Sequence, residues 1–262
     1  MHDIEIKNII KIIKKAGNIA MSFYERDYGI EDKENKTPVT EADLAINEFL
    51  FEKLSKFGYP ILSEESEDDF EKRKNAEYVW IVDPLDGTSD FIQKTDEFAV
   101  MIGLANRDGE AVMGVVYAPS LEELYYAQKG EGSFWEKDGK VVRLKVSDKG
   151  IKKGRILLSR NHLGEFEQEV AKKYDMEKIS MGSAGLKICR IAKGDAELYI
   201  NSSDKSGEWD TCAGNIILTE AGGMSSDMEG NDLIYNKENS EHPNGFVIFG
   251  QSNNIIYKKI LK

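Results

Sequence analysis

The sequence predicts an α+β protein whose second half turns to an α/β pattern, and three observations support that fold class. Apolar residues recur at three- and four-residue steps near the start of the chain, which indicates helices. From about residue 97 to 147 the period changes to two, which indicates antiparallel strands. After residue 150, short apolar strands alternate with helical segments. We therefore expect two subdomains, residues 1–150 and 151–262, that share a crevice.

Two helices open the chain. The first covers residues 3–24, where isoleucines and alanines fall on one face, and the charged residues 25–36 then predict a loop. Thr40 is a candidate cap for the second helix. The inner face of that helix carries Ile46, Leu50, Leu54 and Phe57. Together they predict a helical layer that covers one face of the first sheet.

The strands of the first half follow in order. "YPIL" is a short strand that ends in "SEES", and "YVWIVD" is the next strand. Two further strands flank Asp108-Gly109, a strong hairpin signal. The meander continues through turns at residues 130–132 and 138–139. The first 147 residues or so thus predict two helices on a largely antiparallel sheet.

The second half alternates strand and helix. "RILLS" predicts a strand, residues 163–173 a helix, and "GLKICRIAKG" a helix that ends at Gly194. "AELYI" is the next strand, residues 210–222 form a helix, and "GFVIFG" is a strand before a terminal helix. This alternation predicts a second, separate sheet.

Composition narrows the functional classes. The 262 residues carry a formal net charge of −12, which argues against a broad nucleic-acid surface. No apolar run approaches the roughly 20 residues that span a bilayer. Cys189 and Cys212 are too few for a disulfide framework, so we expect small buried core thiols in a cytoplasmic protein. A phosphate ligand on so acidic a chain would need local neutralisation, most simply by a divalent metal.

Four acidic clusters stand at the ends of predicted elements: Asp43, Glu64-Glu65, Asp83 with Asp86, and Asp210. Three of them have a purely structural alternative. Asp43 fits a capping box with Thr40, and Asp210 fits helix-dipole compensation. Glu64-Glu65 could belong to a solvated acidic loop, because three more acids follow.

The stretch "WIVDPLDGTSDF" resists such an explanation. Asp83 directly follows a run that should be buried, and an unpaired buried carboxylate costs several kcal/mol. A bound Mg²⁺ ion would offset the cost of burying the carboxylate, because this ion prefers oxygen ligands. The turn at Pro84 exposes the Leu85 carbonyl as another oxygen, and residues 87–89 offer free backbone N–H groups for a phosphate.

Five blocks in order, "TPVTEAD", "SEES", "DPLDGT", "GSAGLKICRIAKGDAELY" and "EWDTCAG", resemble the inositol monophosphatase superfamily across nearly the whole chain. Members of that superfamily are Mg²⁺-dependent, Li⁺-sensitive phosphatases of small molecules. The resemblance implies a layered αβαβα sandwich and two or three Mg²⁺ ions. It is also compatible with a homodimer.

The resemblance assigns roles by position. The implied metal ligands are Glu64, Asp83, Leu85 through its carbonyl, Asp86 and Asp210, with Glu65 near a weaker third ion. The implied catalytic residues are Asp43, Thr88 and Glu65, of which Thr88 and Asp43 would orient and deprotonate the attacking water. The implied phosphate-binding residues are Gly87, Thr88 and Ser89.

Substrate choice depends on finer features. "DPLDGTSDF" and "EWDTCAG" lean toward 3′(2′),5′-bisphosphate nucleotidases, whereas "GSAGLK" has the spacing of a monophosphatase motif. The candidate contacts to the substrate are Ser183, Lys187, Arg160, His162 and Glu208. Lys187 could equally be a plain surface lysine, and His162 could cap the following helix.

Three functions follow from these patterns. The leading hypothesis is hydrolysis of adenosine 3′,5′-bisphosphate to AMP and phosphate. The alternative is an inositol-1-monophosphatase or fructose-1,6-bisphosphatase, and a more remote one is a non-catalytic protein that binds a phosphometabolite. All three expect a small-molecule phosphate as the partner, and neither a nucleic acid polymer nor a membrane.

Overall fold

The structure, a computed structural model, describes residues 4–25, 41–161 and 163–250. Its helices are α1 Ile6–Tyr24, α2 Glu41–Leu54, α3 Phe70–Arg73, α4 Thr88–Ile92, α5 Glu165–Lys173, α6 Ala184–Ala192 and α7 Glu208–Glu220, with a 3₁₀ turn at Ser55–Phe57. None of the helices in these ranges combines the length and apolar character needed to cross a bilayer.

Twelve strands in the described ranges form two sheets. The first sheet contains β1 Ile61–Ser63, β2 Tyr78–Asp86, β3 Ala99–Asn106, β4 Ala111–Ala118, β5 Glu123–Gln128, β6 Gly132–Lys137 and β7 Lys140–Arg143, in that order. Only its β1–β2 pair is parallel. The second sheet has the order β11-β12-β10-β8-β9, from β8 Arg155–Ser159, β9 Glu177–Met181, β10 Leu198–Asn201, β11 Met224–Asp227 and β12 Phe246–Phe249.

The outermost layer consists of α1 and α2. The periodicity of α1 places Ile9, Ile13, Ala16 and Ala20 on one buried face, and α2 contributes a similar stripe. Both stripes pack on one face of the first sheet in a core that includes the fully buried Trp80.

The middle layer consists of α6 and α7, which lie between the two sheets. Glycines in the first sheet allow α7 to approach closely. A Cβ atom on Gly114 would lie 2.2 Å from the carbonyl oxygen of Ala213, and one on Gly103 would lie 2.6 Å from Sγ of Cys212. Cys189 and Cys212 are fully buried in this core, as the sequence predicted.

The fifth layer is α5, which packs with Val170 and Ala171 on the far face of the second sheet. The order of layers is therefore helices, sheet, helices, sheet and helix. This arrangement confirms the predicted αβαβα sandwich. The change of sheet between residues 143 and 155 coincides with the boundary predicted near 150, and the division into subdomains 1–150 and 151–262 stays a prediction.

Three short elements were not predicted. β9 is largely exposed and β11 reads "MSSD", so neither shows the apolar alternation that marks a strand. α3 has four residues, too few for a periodic signal. The expected cap at Thr40, most of the loop 25–36 and the terminal helix lie outside the described residues.

Candidate active site

A cavity of about 230 Å³ opens where the two sheets and the middle helices meet. One side is lined by the end of β2 and by α4, and the other by the ends of β8 and β10 and the loop that leads into α7. The lining residues are Glu64, Asp83, Leu85, Asp86, Gly87, Thr88, Ser89, Asp90, Ser159, Asn161, Ser183, Ala184, Lys187, Tyr199, Asn201, Ser203, Lys205, Ser206 and Asp210. The cavity thus contains all five predicted metal ligands.

An irregularity in β2 explains how Asp83 and Asp86 both line one cavity. The sequence predicted that the strand stops at Asp83, but β2 runs through to Asp86 with a register shift between those two residues. In a regular strand, residues three apart point to opposite faces. The bulge re-aims one of them, and the Leu85 amide then donates to Oδ1 of Asp83 at 3.0 Å.

Asp83, Asp86 and Asp210 bring carboxylate oxygens within 4.8 Å of one another. Burial raises the pKa of Asp83 well above its ordinary value, and the charges of Glu64, Asp86 and Asp210 add to that effect. Burial and the Asp86 charge raise the pKa of Asp210 to about 7. The three carboxylates therefore form a centre of negative potential.

Asp86 is held from the second half of the chain. It accepts hydrogen bonds from the Ser183 hydroxyl and from the amides of Ala184 at 2.9 Å and Gly185 at 2.7 Å. Ser183, the predicted substrate contact, also caps α6 through Leu186 N at 3.0 Å. Its φ of 52° is unusual for a residue other than glycine, and the turn at the start of α6 is thereby fixed against Asp86.

The acidic loop after β1 completes this centre. Part of the Glu64 side chain reaches solvent, yet the residue lines the cavity. Desolvation and the neighbouring carboxylates, Asp210 first, raise the pKa of Glu64 to about 9. Desolvation and the Asp43 charge raise the pKa of Glu65 to about 7. Glu64 is exposed and Glu65 is partly buried, so this stretch is a solvent-facing loop that also contributes Glu64 to the cavity wall.

The oxygen atoms gathered at this centre are suitable ligands for a divalent metal ion. Asp83 is almost fully buried, and the largest charge effects on it come from three other acids. Carboxylate and carbonyl oxygens are the ligands that Mg²⁺ prefers. A hard cation would remove the repulsion that raises these pKa values. Asp83, Asp86, Asp210, Glu64 and the Leu85 carbonyl therefore constitute a chemically suitable set.

The predicted phosphate loop lies beside the carboxylates. Gly87 has a φ of 91° and precedes α4, and a Cβ atom there would lie 3.0 Å from the Glu97 carbonyl oxygen. Thr88 and Ser89 line the cavity in the first turn of α4, where backbone N–H groups have no partner within the helix.

Lys187 is buried, not a surface lysine. Its amine donates to the carbonyls of Met181 at 3.3 Å, Gly182 at 3.2 Å and Ser183 at 2.8 Å. It also lies 5.0 Å from the ring centroid of Tyr199. The surface alternative is therefore wrong. Lys187 lines the cavity and binds the turn that precedes α6.

Arg160 does not line the cavity. Its guanidinium pairs with Asp90 and donates to Glu97 at 2.5 Å and to Thr95 at 3.1 Å. Glu97 also accepts from the Gly182 amide at 2.8 Å. Arg160 therefore connects α4 to the second half of the chain, and its predicted contact with substrate stays untested.

Glu208 is fully buried at the start of α7 and does not line the cavity. Its carboxylate accepts from the amides of Asn236 at 2.6 Å and Lys237 at 2.9 Å. The predicted contact with substrate again stays untested, while the observed role is to fasten the turn at 236–237. His162 lies outside the described residues.

Sequence reasoning missed most of the far wall of the cavity. Ser159, Tyr199, Ser203, Lys205 and Ser206 line it without belonging to an acidic motif. A usable signal existed, because several of these residues stand at or just after the ends of β8 and β10. Polar residues at strand ends in an open sheet commonly face a crevice.

Comparison with known proteins agrees with this geometry. A family model described as the inositol monophosphatase family matches residues 4–257. A 3′(2′),5′-bisphosphate nucleotidase CysQ from Aggregatibacter actinomycetemcomitans is 36% identical over 252 residues, which covers 90% of this chain and 88% of the relative.

Two solved structures show the same fold. CysQ from Bacteroides thetaiotaomicron is described as a bacterial member of the inositol monophosphatase family. It superposes on this chain with a TM-score of 0.81 and 32% sequence identity, and the match covers 94% of this chain and 97% of the CysQ chain. An IMPase from Thermotoga maritima superposes with a TM-score of 0.79 and 26% sequence identity, and the match covers 98% of this chain and 96% of the IMPase chain.

Proposed function

Because the chain belongs to the inositol monophosphatase family, we propose that it is a Mg²⁺-dependent 3′(2′),5′-bisphosphate nucleotidase that converts adenosine 3′,5′-bisphosphate to AMP and phosphate. The substrate class is supported by its CysQ relatives, which are 3′(2′),5′-bisphosphate nucleotidases. The reaction class is supported by the site itself, and two or three Mg²⁺ ions are proposed for it.

One observation carries the proposal. Asp83, Asp86 and Asp210 converge within 4.8 Å in a cavity that is also lined by Gly87, Thr88 and the other residues of the phosphate loop. Clustered buried carboxylates next to a phosphate would repel it. A bound cation would make that arrangement favourable, and a cation beside a phosphate site is typical of phosphoryl transfer.

The metal ligands are proposed as Glu64, Asp83, Asp86, Asp210 and the Leu85 carbonyl. When bound there, Mg²⁺ supplies Lewis-acid polarisation of the phosphoryl group. The chain itself fixes the geometry of the ligands: the bulge in β2 aims Asp83, and Ser183, Ala184 and Gly185 hold Asp86.

Thr88 and Asp43 are proposed to activate the attacking water, with Glu65 beside them. The Thr88 hydroxyl lies 3.5 Å from Oδ1 of the buried Asp43 and 3.1 Å from the Leu85 carbonyl oxygen. When the Thr88 hydroxyl donates its hydrogen to Asp43, the hydroxyl oxygen can accept a hydrogen bond from the attacking water. The carboxylate then draws proton density away from the attacking oxygen, which is general-base assistance.

The scissile phosphate is proposed to bind the first turn of α4 at Gly87, Thr88 and Ser89, with Ser183 opposite. Free N–H groups at a helix start favour anions. Attack by water and departure of the sugar alkoxide occur in line, so the enzyme forms no covalent intermediate with its own side chains.

Inositol-1-monophosphatase activity is the second candidate. The structural likeness to the Thermotoga maritima IMPase, which covers 98% of this chain, favours it. The two activities share the metal centre and differ in the leaving group. Residues on the far wall of the cavity therefore decide between them.

The test is a panel of phosphate-release assays with Mg²⁺. The substrates are adenosine 3′,5′-bisphosphate, inositol 1-phosphate and fructose 1,6-bisphosphate, each assayed with and without added Li⁺. We expect the highest kcat/KM for the bisphosphate nucleotide, and inhibition by Li⁺. A much higher value for inositol 1-phosphate would replace the proposed function with the second candidate. No release from any of the three would favour a phosphometabolite-binding protein.

A further inference from the structure

The leaving group of a bisphosphate nucleotide carries a second anion, and the cavity must provide a cation for it. Sequence reasoning offered Arg160, Lys187 and His162 for that contact. In the structure, Arg160 and Lys187 already bind other groups of the protein. The fold also brings a further lysine, Lys205, to the cavity wall.

Arg160 is already neutralised. Its guanidinium pairs with Asp90 and Glu97, and Asp90 is almost fully buried. Asp90 receives further hydrogen bonds from Thr95 at 2.8 Å and Asn161 at 3.0 Å. A phosphate that recruited Arg160 would have to leave the buried Asp90 and the partly exposed Glu97 without their cation, which is costly for the buried carboxylate.

Lys187 has no N–H left to offer. An ammonium group has three donors, and all three are directed at backbone carbonyls, those of residues 181, 182 and 183. Its positive charge still attracts anions in the cavity electrostatically, without a hydrogen bond to them. Direct hydrogen bonding to a second phosphate would break one of those bonds and loosen the turn that holds Ser183.

Lys205 is different. It is exposed, lines the cavity, and forms no ion pair with any carboxylate among the residues that the structure describes. Its backbone is nevertheless held in place, because its amide donates to Oγ of Ser203 at 3.1 Å and the Ser203 amide donates to Oδ1 of Asn201 at 3.0 Å.

The loop 201–206 is also anchored from outside. The Ser202 amide donates to Oε1 of Glu167 at 2.8 Å, and Glu167 is almost fully buried on α5. The loop leads into α7, which carries Asp210. Lys205 is thus a pre-placed cation on the far wall of a cavity whose other side is acidic.

We infer that Lys205 is the specificity-determining residue that binds the second anionic group, a phosphate on the leaving-group side of the substrate. This inference rests on the proposed function and deepens it. Charge-assisted hydrogen bonds to phosphate are among the stronger polar contacts, and the mobile ammonium of a lysine can follow a phosphate on a flexible sugar.

The test compares two substrates with the same scissile group: adenosine 3′,5′-bisphosphate and adenosine 3′-monophosphate. In Lys205→Gln we expect kcat/KM for the bisphosphate to fall by about tenfold or more, as a lost charge-assisted contact predicts, while the value for the monophosphate changes by less than about twofold. Inhibition by AMP, which retains the second phosphate, should weaken by a similar factor, whereas inhibition by adenosine should not.

Lys178→Gln is the matched control. Lys178 is exposed on β9, does not line the cavity, and its loss removes the same charge. We expect it to leave both substrates unaffected. Arg160→Gln is the comparison variant, and it should slow both substrates alike because it disturbs Asp90 and Glu97.

The outcomes separate two failures. If wild-type protein prefers the bisphosphate and Lys205→Gln keeps that preference, or if Arg160→Gln alone abolishes it, Lys205 is not the anion-binding residue and the proposed function stands. If Lys205→Gln slows both substrates equally, its role is not specificity. If wild-type protein does not prefer the bisphosphate over the 3′-monophosphate, this inference is overturned, whereas the proposed function fails only if adenosine 3′,5′-bisphosphate is hydrolysed far more slowly than inositol 1-phosphate.

Discussion

The hydroxyl oxygen of Thr88 lies 3.5 Å from Oδ1 of Asp43, although 45 residues separate them in the chain. Thr88 opens α4 and Asp43 lies in the first turn of α2, so the contact joins the phosphate loop to the outer helical layer. Asp43 is 2% exposed. A carboxylate so placed can polarise a hydroxyl group without competing for the phosphate itself.

We predict that Asp43→Asn and Thr88→Ala each lower kcat on the order of 10²-fold or more, because each removes general-base assistance. KM should change little. The double variant should be no slower than the slower single variant, since the two residues act as one unit. Steady-state kinetics at saturating Mg²⁺ measure all three effects.

Thr88→Ser is the control for that pair, because it retains the hydroxyl group and should keep most of kcat. A kcat for Asp43→Asn within about twofold of wild type would remove Asp43 from the mechanism. Melting temperatures of the variants would show whether any loss of activity reflects unfolding.

The carboxylate centre predicts an unusual pH dependence of stability in metal-free protein. The pKa of Asp210 is raised from 3.8 to about 7 and that of Glu64 from 4.5 to about 9. The native state therefore binds more protons than the unfolded state above about pH 4. Stability falls wherever the unfolded state binds fewer protons, so raising the pH through this range destabilises the protein.

The measurement is the melting temperature in EDTA at pH 6.5 and pH 8. Most of this window lies above pH 6.5, the ordinary pKa of histidine, so His242, whose pKa is lowered to about 4 by burial and which acts in the opposite direction, contributes little there. We expect a decrease of several degrees, at ~2–4 °C for each kcal/mol. Saturating Mg²⁺ at pH 8 should restore the melting temperature, because binding to the native state alone stabilises it.

Asp210→Asn is the matched variant for this effect. It removes one of the repelling carboxylates, so its melting temperature in EDTA should depend less on pH. The same variant should bind Mg²⁺ more weakly and lose turnover. A wild-type melting temperature that is flat or rises with pH in EDTA would contradict the raised pKa values.

The acids that line the cavity could be singled out from the sequence because they stand in short contiguous motifs at strand and helix ends. The far wall of the cavity was harder to predict: polar residues at the ends of β8 and β10 gave a signal, but which loops meet at the cavity depends on how the two sheets pack. Arg160 shows the difficulty. Its partner Asp90 lies 70 residues away in the chain, so nothing in the sequence indicated that an acid already neutralises the Arg160 guanidinium. Likewise, nothing in the helical pattern of "GLKICRIAKG" revealed that the Lys187 amine turns back onto three carbonyls.

That position of Lys187 predicts a structural and positioning effect. Lys187→Met would leave three backbone carbonyls without their donor, at a cost of about 1–3 kcal/mol. The turn that holds Ser183 against Asp86 should loosen. We expect a lower melting temperature and weaker Mg²⁺ binding, by about 10-fold, as loss of support around a metal ligand commonly causes.

Calorimetric titration of substrate-free protein with Mg²⁺ measures that change without turnover. The preference for adenosine 3′,5′-bisphosphate over the 3′-monophosphate should persist in Lys187→Met. Loss of the preference with unchanged Mg²⁺ affinity would instead restore Lys187 as a direct ligand of the second phosphate.

Glu208 is expected to contribute to stability and not to substrate choice. Its buried carboxylate accepts two amide hydrogen bonds from the turn at 236–237, and Arg73 donates to the same turn through Oδ1 of Asn236 and the Lys237 carbonyl at 2.9 and 2.8 Å. In Glu208→Gln the amide NH₂ group cannot replace an acceptor oxygen, so one N–H loses its partner.

We therefore predict that Glu208→Gln lowers the melting temperature by several degrees, since an unsatisfied buried donor costs about 1–3 kcal/mol. Glu131→Gln, at an exposed turn, should have no such effect. The ratio of kcat/KM for the bisphosphate nucleotide to that for inositol 1-phosphate should be the same in both variants and in wild type. A tenfold change of that ratio in Glu208→Gln alone would place Glu208 in substrate recognition, because a purely structural loss lowers both rates together.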